Sequence, residues 1–410
     1  MIKILKFIFI AFCLISCQNN QKNEVTKGDK YVVSNNLIHF FINYAWNDSI
    51  GTFYSEIDNE GKVVSDKIYT VASSRLIYGL AYVSKSNKDY LRKAIRTFQF
   101  QKNHLIGSNE HGNYSLSYAN EPTPTSFDVW QQAYGLCGIT ELYRNSKNDE
   151  VISTINSLHK GFINKFRDPI NKGFWGEFKE GKGVSGSKSL QSLLYPMTAY
   201  MINLWNADNL HKTNYEHQLA ENIDLLYQHG WNEKTSWVNV KFNDDWTVQK
   251  TENGDCNFTV TPGHNFQLAA LLLRAASLNF LSDENKAKYQ SLGKHIIDVT
   301  LQKNIFHVGE IGNGFYSEVN PNTNKIIDTR KTWWQHAEAI IALSLYEEKY
   351  EKEQKDLEKF FYKTFTDRIV GGEYFYVTEN NKPITTELKG SIGKSTYHTI
   401  EMLRFITKKQ

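Results

Sequence analysis

Gly51-Thr52-Phe53-Tyr54-Ser55-Glu56-Ile57 is the first copy of a glycine–aromatic motif that returns along the chain roughly every 60 residues. The later copies with a glycine read Gly112-Asn113-Tyr114-Ser115, Gly173-Phe174-Trp175-Gly176-Glu177, Gly314-Phe315-Tyr316-Ser317-Glu318-Val319 and Gly372-Glu373-Tyr374-Phe375-Tyr376. A sixth copy, Ser236-Trp237-Val238-Asn239-Val240, falls in the gap between the third and the fourth and lacks the glycine. This spacing is that of a helical hairpin with its connecting loop, so the motif predicts six repeats of one unit.

Helical apolar periodicity fills most of the chain between the copies of the motif. We predict twelve helices, near 31–46, 66–84, 87–101, 126–145, 148–165, 187–206, 214–229, 264–280, 283–302, 331–349, 350–365 and 394–407. Twelve helices and six motifs indicate an all-α fold, an (α/α)6 barrel of six helical hairpins with short β-hairpins at one mouth. A ring of hairpins places its loops around one central pocket, where a functional site is expected.

Composition and charge limit the classes of partner. The 410 residues carry 47 basic and 44 acidic side chains, interspersed along the chain, for a net charge of +3. This balance does not favour a nucleic acid or another polyanion as partner. Aromatic residues make up 14% of the chain, and many lie in the motif loops, where their rings can stack on sugars. A repeat ring of this size is one domain, which we predict to span residues 31–410.

The first thirty residues have the order of an export signal. Lys3 and Lys6 precede an apolar stretch over residues 7–15, and Ser16-Cys17 follow it. The sequence predicts a lipoprotein signal peptide over residues 1–16 and a flexible tether over residues 17–30 with a lipid on Cys17; an ordinary signal peptide cut nearby is the alternative. A lipidated protein is expected in a bacterial cell envelope, at the periplasmic or outer-membrane face, with the lipid as its contact to the membrane. The oligomeric state stays open.

Chemically useful side chains gather in the first two turns of several predicted inner helices. They are Arg75, His264, Trp333, Trp334, His336, Glu338 and His398. Corresponding positions of different inner helices converge on the axis of a ring. An isolated histidine at a helix start is often only a hydrogen-bonding group, but indoles, a carboxylate and a guanidinium beside it favour a binding site. Glu338 can equally be a buried partner of Lys331 or Arg75, and at least one indole can be core packing.

With these residues in this order, the chain resembles the N-acylglucosamine 2-epimerase family, which includes cellobiose 2-epimerases and mannose isomerases. The resemblance spans residues 31–407 and rests on Arg75, Gln132-Ala133 after Asp128, Phe242-Asn243-Asp244-Asp245-Trp246, Pro262-Gly263-His264, Lys331-Thr332-Trp333-Trp334 with Glu338, and Tyr397-His398-Thr399. It implies an (α/α)6 barrel and reversible epimerisation or aldose–ketose isomerisation of a mono- or disaccharide, with no metal or other cofactor. It also implies that His264 and His398 are the acid/base pair and that Arg75 binds near the reacting end of the sugar. The side chains expected to bind the substrate are Arg75, Gln132, Gln267, Trp333, Trp334, His336 and Glu338.

The chemistry of such a reaction explains these residue types. The hydrogen on C2 of an open-chain sugar is acidic because the C1 carbonyl takes up the charge as an enediolate, so the site needs a base that works near neutral pH and a cation at O1. Histidine and arginine fit these roles. Two imidazoles on opposite faces of C2 would give the C2 epimer, whereas one base moving between C2 and C1 would give the ketose.

Two departures from the family pattern leave the activity open. Gln267 stands three residues after His264, where the family has a glutamate that would sit beside the imidazole and favour its protonated form. The segment Ser189-Leu190-Gln191-Ser192-Leu193-Leu194-Tyr195-Pro196 lacks a histidine and an acid that the family often has there. Two alternatives follow. One is a glycoside hydrolase that uses a carboxylate pair from among Asp128, Asp244 and Glu338, and the other is a catalytically weakened carbohydrate-binding lipoprotein.

Overall fold

The computed structural model describes residues 27–407, and helices account for most of its regular structure. In chain order the helices are α1 (Lys27–Tyr44), α2 (Thr70–Val83), α3 (Lys88–His104), α4 (Val129–Ser146), α5 (Asp149–Phe166), α6 (Leu190–Pro196), α7 (Ile202–Ala207), α8 (Lys212–His229), α9 (Pro262–Ala275), α10 (Asp283–Leu301), α11 (Trp333–Leu345), α12 (Glu351–Thr364) and α13 (Tyr397–Thr407). The twelve predicted helices are confirmed, with ends that differ by a few residues. One of them is divided, because a π-helical turn, Met197–Met201, joins α6 to α7.

The helices form two groups that alternate along the chain. Helices α2, α4, α6 with α7, α9, α11 and α13 are buried around most of their circumference; in α9, every residue except Arg274 is buried. The helices between them bury one face only, as α12 does with Leu357, Phe360 and Phe361. The all-round burial of the first group places it inside and the second group outside. This alternation is what the predicted (α/α)6 barrel of helical hairpins requires.

The segments that connect the helices contain short antiparallel strands. They are β1 (Trp46–Asn47), β2 (Thr52–Phe53), β3 (Ile106–Asn109), β4 (Gly112–Ser115), β5 (Ser126–Asp128), β6 (Glu177–Lys179), β7 (Lys182–Gly183), β8 (Trp231–Asn232), β9 (Trp237–Val238), β10 (Glu318–Val319), β11 (Ile326–Asp328), β12 (Lys331–Thr332), β13 (Tyr376–Val377) and β14 (Pro383–Ile384). They pair as β1–β2, β3–β4, β5–β6–β7, β8–β9, β10–β11 and β12–β13–β14. The predicted β-hairpins are therefore present.

The first residue of each motif copy has the left-handed backbone conformation. The φ angles are 73° at Gly51, 98° at Gly112, 68° at Gly173, 53° at Ser236, 74° at Gly314 and 73° at Gly372. Glycine adopts this conformation without steric cost, which explains why five of the six copies begin with it. Ser236 adopts it without being glycine, so the sixth copy is a true member of the repeat.

The last inner helix lies beside the first. The Thr396 hydroxyl donates a hydrogen bond to the carbonyl of Arg75, and the Ser395 hydroxyl donates to the carbonyl of Ala72 at 3.3 Å. A Cβ added at Gly79 would meet the Thr396 side chain at 2.4 Å, so glycine allows the close approach of the two segments. The chain thus returns to its starting point after more than 300 residues.

The N-terminal predictions are only partly covered by the structure. Helix α1 begins at Lys27, so the last four residues of the predicted flexible tether, 27–30, are helical. The predicted signal peptide and Cys17 lie outside the described residues. Between Lys27 and Thr407, the structure contains no helix with the length and apolar character that a membrane span requires.

Candidate active site

A cavity of about 300 Å³ lies where the N-terminal ends of the inner helices meet. Its walls are mainly aromatic, with a few polar groups among them: Arg75, Trp130, Tyr134, Tyr195, Gln267, Trp333, Trp334, Phe375, Ser391, Ile392, Gly393 and His398. An apolar, concave site with few convergent polar groups is typical of small-molecule binding. A groove of about 860 Å³ lies elsewhere, against α12, and is lined mostly by charged and neutral polar side chains; it contains none of the predicted site residues.

Local structure fixes the place of His264. Pro262 and Gly263 form the first turn of α9, where proline costs no hydrogen bond, and His264 is the third residue of that helix. A Cβ on Gly263 would meet the Gln335 side chain at 2.7 Å. Only glycine therefore allows α9 to approach α11 this closely, which brings His264 next to the indole of Trp334, at 5.3 Å between ring centroids.

His398, the second residue of α13, is held by a carboxylate. Its Nδ1 lies 2.8 Å from Oε1 of Glu338, and both side chains are buried. Burial raises the pKa of Glu338 to about 8, and burial and the charge of Arg75 hold the pKa of His398 well below its usual range. With Nδ1 fixed on Glu338, Nε2 is the nitrogen left for a substrate. The pair has the arrangement of an oriented base.

His264 has a different environment. Its Nε2 lies 3.5 Å from the Tyr195 hydroxyl, and within residues 27–407 no carboxylate hydrogen-bonds its ring. Burial, with a smaller effect of His398, lowers the pKa of His264 to about 4. The imidazole is therefore neutral at physiological pH. Burial also raises the pKa of Tyr195 well above its usual range, so the phenol beside it is neutral too.

Gln267 lines the cavity and affects the carboxyl of Glu338. Its side chain hydrogen-bonds Glu338 and so lowers the pKa of that carboxyl, against the larger effect of burial. The amide oxygen of Gln267 is buried and accepts no hydrogen bond within residues 27–407. Gln267 therefore lines the cavity as predicted, but it supports the partner of His398 and adds no charge next to His264.

Arg75 supplies the cation of the site. Its Nη1 donates to the carbonyl of Gly393, and its guanidinium lies over the ring of Tyr134, 4.0 Å from the ring centroid. Its Nε is buried and has no hydrogen-bond partner among the described residues. A buried guanidinium with a spare donor in an aromatic cavity is suited to an oxyanion or a hydroxyl group.

The two adjacent indoles differ in exposure and surroundings. Trp334 is half-buried and lies between the imidazoles, with ring centroids 5.3 Å from His264 and 5.8 Å from His398. Trp333 is buried, packs edge-on against Phe375 at 4.6 Å and carries the ammonium of Lys394 over its ring at 4.6 Å. Trp334 is thus the better platform for a sugar, while Trp333 contributes mostly packing to the same wall.

Two predicted substrate-binding residues are structural instead. His336 is fully buried, with Nδ1 2.7 Å from the carbonyl of Thr332 and Nε2 accepting from the amide of Phe315 at 3.1 Å. The amide of Gln132 accepts from the Ser115 N–H at 2.8 Å and donates to the Ser115 carbonyl at 2.7 Å. Neither residue lines the cavity. Each side chain instead satisfies the backbone of a neighbouring motif strand or loop, so the structure gives no support to a role of either in substrate binding.

The carboxylates considered for hydrolysis do not form a pair in the cavity. Asp128 is exposed and caps α4 by accepting from the Gln131 N–H at 3.1 Å. Asp244 accepts from Ser185 and from the amide of Gly186, both at 2.7 Å, in a loop outside the cavity. Of the three, Glu338 alone is bonded to a side chain of the cavity wall, that of His398. Lys331 does not bind it, because the ammonium is held by the carbonyl of Asn313 at 2.7 Å.

Several residues of the site were missed from the sequence. In the sequence, Tyr195 was considered only as part of the segment that lacks the family histidine. In the structure its hydroxyl faces His264. Trp130, Tyr134 and Phe375 complete the aromatic wall. The sequence signal for Tyr134 was the presence of Arg75 on a neighbouring inner helix, because arginine commonly stacks on aromatic rings. The structure places the guanidinium over the Tyr134 ring.

Among residues 27–407, no three His, Cys, Asp or Glu side chains come together as metal ligands would.

The comparisons with known proteins agree with this architecture. The model of the N-acylglucosamine 2-epimerase family matches residues 51–402. A cellobiose 2-epimerase of Ruminococcus albus is 23% identical over 390 residues, which cover 88% of this chain and 93% of that protein. A crystal structure of a D-mannose isomerase superposes with a TM-score of 0.78 at 19% identity, covering 94% of this chain and 98% of the other. At this identity the structural likeness shows a common fold.

Glycoside hydrolases also have this fold, at greater distance. A family 76 α-mannanase of Bacteroides thetaiotaomicron has a TM-score of 0.64 and 12% identity, covering 94% of this chain and 97% of that structure. The likeness concerns the helical framework only. Because Asp128 and Asp244 lie outside the cavity, the site itself gives no support to hydrolysis.

Proposed function

Because the chain belongs to the N-acylglucosamine 2-epimerase family, we propose that it is a sugar isomerase that moves the hydrogen on C2 of a reducing mono- or disaccharide. The relatives named above are a cellobiose 2-epimerase and a D-mannose isomerase, which supports glucose- or mannose-configured sugars as substrates. We also infer that the six repeats close into an (α/α)6 barrel, an inference supported by the contact of α13 with α2.

The reaction is proposed to run through an enediolate. His398 Nε2 removes the proton from C2 of the open-chain sugar, the electron pair forms the C1–C2 double bond, and the charge moves to O1. The guanidinium of Arg75 stabilises that oxyanion. Return of a proton to C2 on the other face gives the epimer, and delivery to C1 gives the ketose. His264 completes the set of proton-transfer groups.

The observation that supports this proposal most is the oriented imidazole of His398 in an aromatic cavity that Arg75 also lines, with His264 beside the Trp334 and Tyr195 walls. Glu338 fixes one ring nitrogen at 2.8 Å and leaves the other for the substrate. Trp334, between the two imidazoles, offers a flat face to a pyranose ring. The cavity of about 300 Å³ fits a monosaccharide unit, so a disaccharide would extend through its mouth.

The remaining N-terminal predictions stay proposals. We propose that Cys17 carries a lipid and that the protein is anchored in the cell envelope of a bacterium, with the catalytic domain at the periplasmic or outer-membrane face. Mass spectrometry of the protein from membranes tests this: cleavage before Cys17 with an acylated N-terminus is expected, and a mature chain that keeps residues before Cys17 would contradict it.

Solvent exchange tests the activity. The purified protein is incubated in heavy water with D-mannose, D-glucose and cellobiose, and the proton at C2 is followed by NMR. Loss of the C2 signal is expected with at least one sugar, with no loss for the His398→Asn variant, which keeps a side chain of similar polarity. If all three sugars keep their C2 protons, or if a shorter sugar is released from cellobiose, the proposed function is wrong.

A further inference from the structure

We propose that the C-terminal ends of the inner helices hold a second ligand site, which takes an organic monocarboxylate with an apolar body. The site is a cavity of about 530 Å³ lined by the C-terminal parts of α4, α7, α9, α11 and α13. The active-site cavity lies at the N-terminal ends of the inner helices. The two cavities are therefore at opposite ends, and the second site does not depend on the proposed function.

Three arginine side chains bring positive charge to this cavity. Arg144, Arg274 and Arg404 belong to three different inner helices, and their side chains are 30%, 12% and 4% exposed. Cations near helix C-terminal ends interact favourably with the free carbonyl groups there, which explains why arginine is suitable at these positions. That interaction does not require the three side chains to converge on one cavity, whereas the binding of an anion does.

Two buried carboxylates balance only part of this charge. The oxygens of Glu141 lie 2.8 Å from Arg144 Nη2 and 2.7 Å from Arg404 Nη2. The oxygens of Glu401 lie 3.5 Å from Arg274 Nη1 and 3.4 Å from Arg404 Nε. Burial would raise the pKa of Glu401, but the charges of Arg404 and Arg274 outweigh it and hold that pKa below its usual value. Three positive and two negative charges leave one positive charge unbalanced among these described groups.

Arg274 is held less firmly than the other two. Its contacts are long, at 3.5 Å from Nη1 to Glu401 and 3.4 Å from Nη2 to Oδ1 of Asn203. Asn203 is 4% exposed and lines the same cavity, and its Nδ2 is buried without an acceptor among residues 27–407. A buried donor without a partner is unfavourable. A carboxylate at this wall would give Nδ2 an acceptor and Arg274 a closer partner.

Apolar side chains form the rest of the wall. Trp205 and Phe405 line it together with leucines at the ends of α9 and α11, and the Phe405 ring lies 5.1 Å from the Arg274 guanidinium. Opposite charges balance beside Trp205, because Glu216 accepts from its Nε1 at 3.1 Å and the Lys212 ammonium lies over its ring at 4.6 Å. A hydrocarbon body therefore fits this wall, and the cavity has room for a chain of about eight carbon atoms.

The single unbalanced charge selects a monoanion. A guanidinium binds a carboxylate through two parallel hydrogen bonds, because the two planar groups match in geometry. A phosphate dianion would leave a negative charge in a partly buried site next to helix C-terminal carbonyl groups, which are themselves negative. The ligand class is therefore a monocarboxylate rather than a phosphate, and octanoate is its simplest probe.

Calorimetric titration of the purified full-length protein tests the site. We expect octanoate to bind at least about tenfold more tightly than octanamide, which has the same length and no charge. Octanoate should also bind more tightly than acetate, which lacks the apolar body, and than inorganic phosphate. Equal affinity for octanamide would show that the arginines do not hold the ligand. Tighter binding of phosphate or acetate, or no octanoate binding up to about 10 mM, would overturn the proposal.

Two arginine variants locate the bound octanoate, because the active-site cavity also contains a guanidinium. Arg274→Gln should weaken octanoate binding at least about tenfold, whereas Arg75→Gln makes the same change at the active-site cavity and should alter it less than about twofold. The opposite result, or binding that survives Arg274→Gln, overturns the proposal. If Arg274→Gln does not fold, Arg144→Gln changes the most exposed of the three arginines and should weaken binding in the same way. None of these measurements requires sugar turnover.

Discussion

His264 and His398 have the same exposure and different partners. Each residue is 7% exposed, and each belongs to the first turn of an inner helix at the same mouth. One of them is bound by a carboxylate, whereas the other faces a phenol. The equal burial shows that the helical framework alone does not decide what a histidine does here. The side chains that surround the two rings decide it, and they divide the cavity into a His398 side and a His264 side.

Replacing each histidine by asparagine is the strongest way to break this comparison. We expect His398→Asn to lower kcat about a thousandfold or more, because the base at carbon is lost. His264→Asn should lower kcat about ten- to a hundredfold, since the amide can still donate to O1. Exchange of the C2 proton with heavy water should vanish in the first variant and persist in the second. Equal losses in both variants would contradict the division of the cavity.

Glu338→Gln removes the difference between the two sides without removing an imidazole. We expect kcat at pH 9, where Glu338 is ionised, to fall about a hundredfold, because His398 loses the charge that stabilises its protonated ring. The fold should be retained. In the folded protein the carboxyl of Glu338 keeps its proton up to a pH of about 8, whereas in the unfolded chain it ionises near its ordinary pKa of 4.5. The free energy of unfolding therefore falls as the pH rises from about 4.5 to about 8. The uncharged glutamine avoids this cost, and thermal unfolding at pH 8 should show a variant that is at least as stable as the natural protein.

The pH dependence of the rate sharpens the comparison further. The pair of Glu338 and His398 acts as a base only after it has lost its shared proton, and the pKa of Glu338 is about 8. We therefore expect kcat/KM to rise about tenfold per pH unit below this value and to level off above it. His264, with a pKa of about 4, should leave no inflection between pH 6 and 9. A rate that falls as the pH rises from 6 to 8 would mean that a protonated group does the work.

Tyr195→Phe should have the smallest effect of the four changes. It removes a hydroxyl that lies 3.5 Å from His264 Nε2, a distance at the limit of a hydrogen bond, and leaves the ring in place. We expect kcat to change about threefold and KM very little. A hundredfold loss in kcat would show that the phenol itself transfers a proton, and the His264 side would then need a second active group.

The repeat made the framework predictable from the sequence. Twelve helices and six motifs could be located because glycine and aromatic residues recur at the same backbone turn, and even Ser236, without glycine, has the expected left-handed conformation. Arg75, Gln267 and His398 line the cavity, and His264 lies beside its Tyr195 and Trp334 walls, since helix starts at one end of a ring face a common space.

Partner choice was not predictable in the same way. His336 and His264 both stand near the start of an inner helix, but the ring of His336 is turned outward to the Phe315 amide. Gln132 and Gln267 are both inner-helix glutamines, and only one lines the cavity. Neighbouring positions on a helix face different directions, so a shift by one position decides whether a side chain lines the cavity or bonds to a loop. The sequence alone does not show which loop packs against which face of the helix.

The contact between Thr396 and Arg75 means that the active site requires both the first and the last inner helix. Arg75 belongs to the first inner helix and His398 to the last, and a ribosome makes them more than 300 residues apart. Until helix α13, eleven residues long, docks beside α2, the cavity lacks one wall and its base. The complete cavity therefore cannot form before the last inner helix has been synthesised, because His398 and the wall beside it belong to that part of the chain.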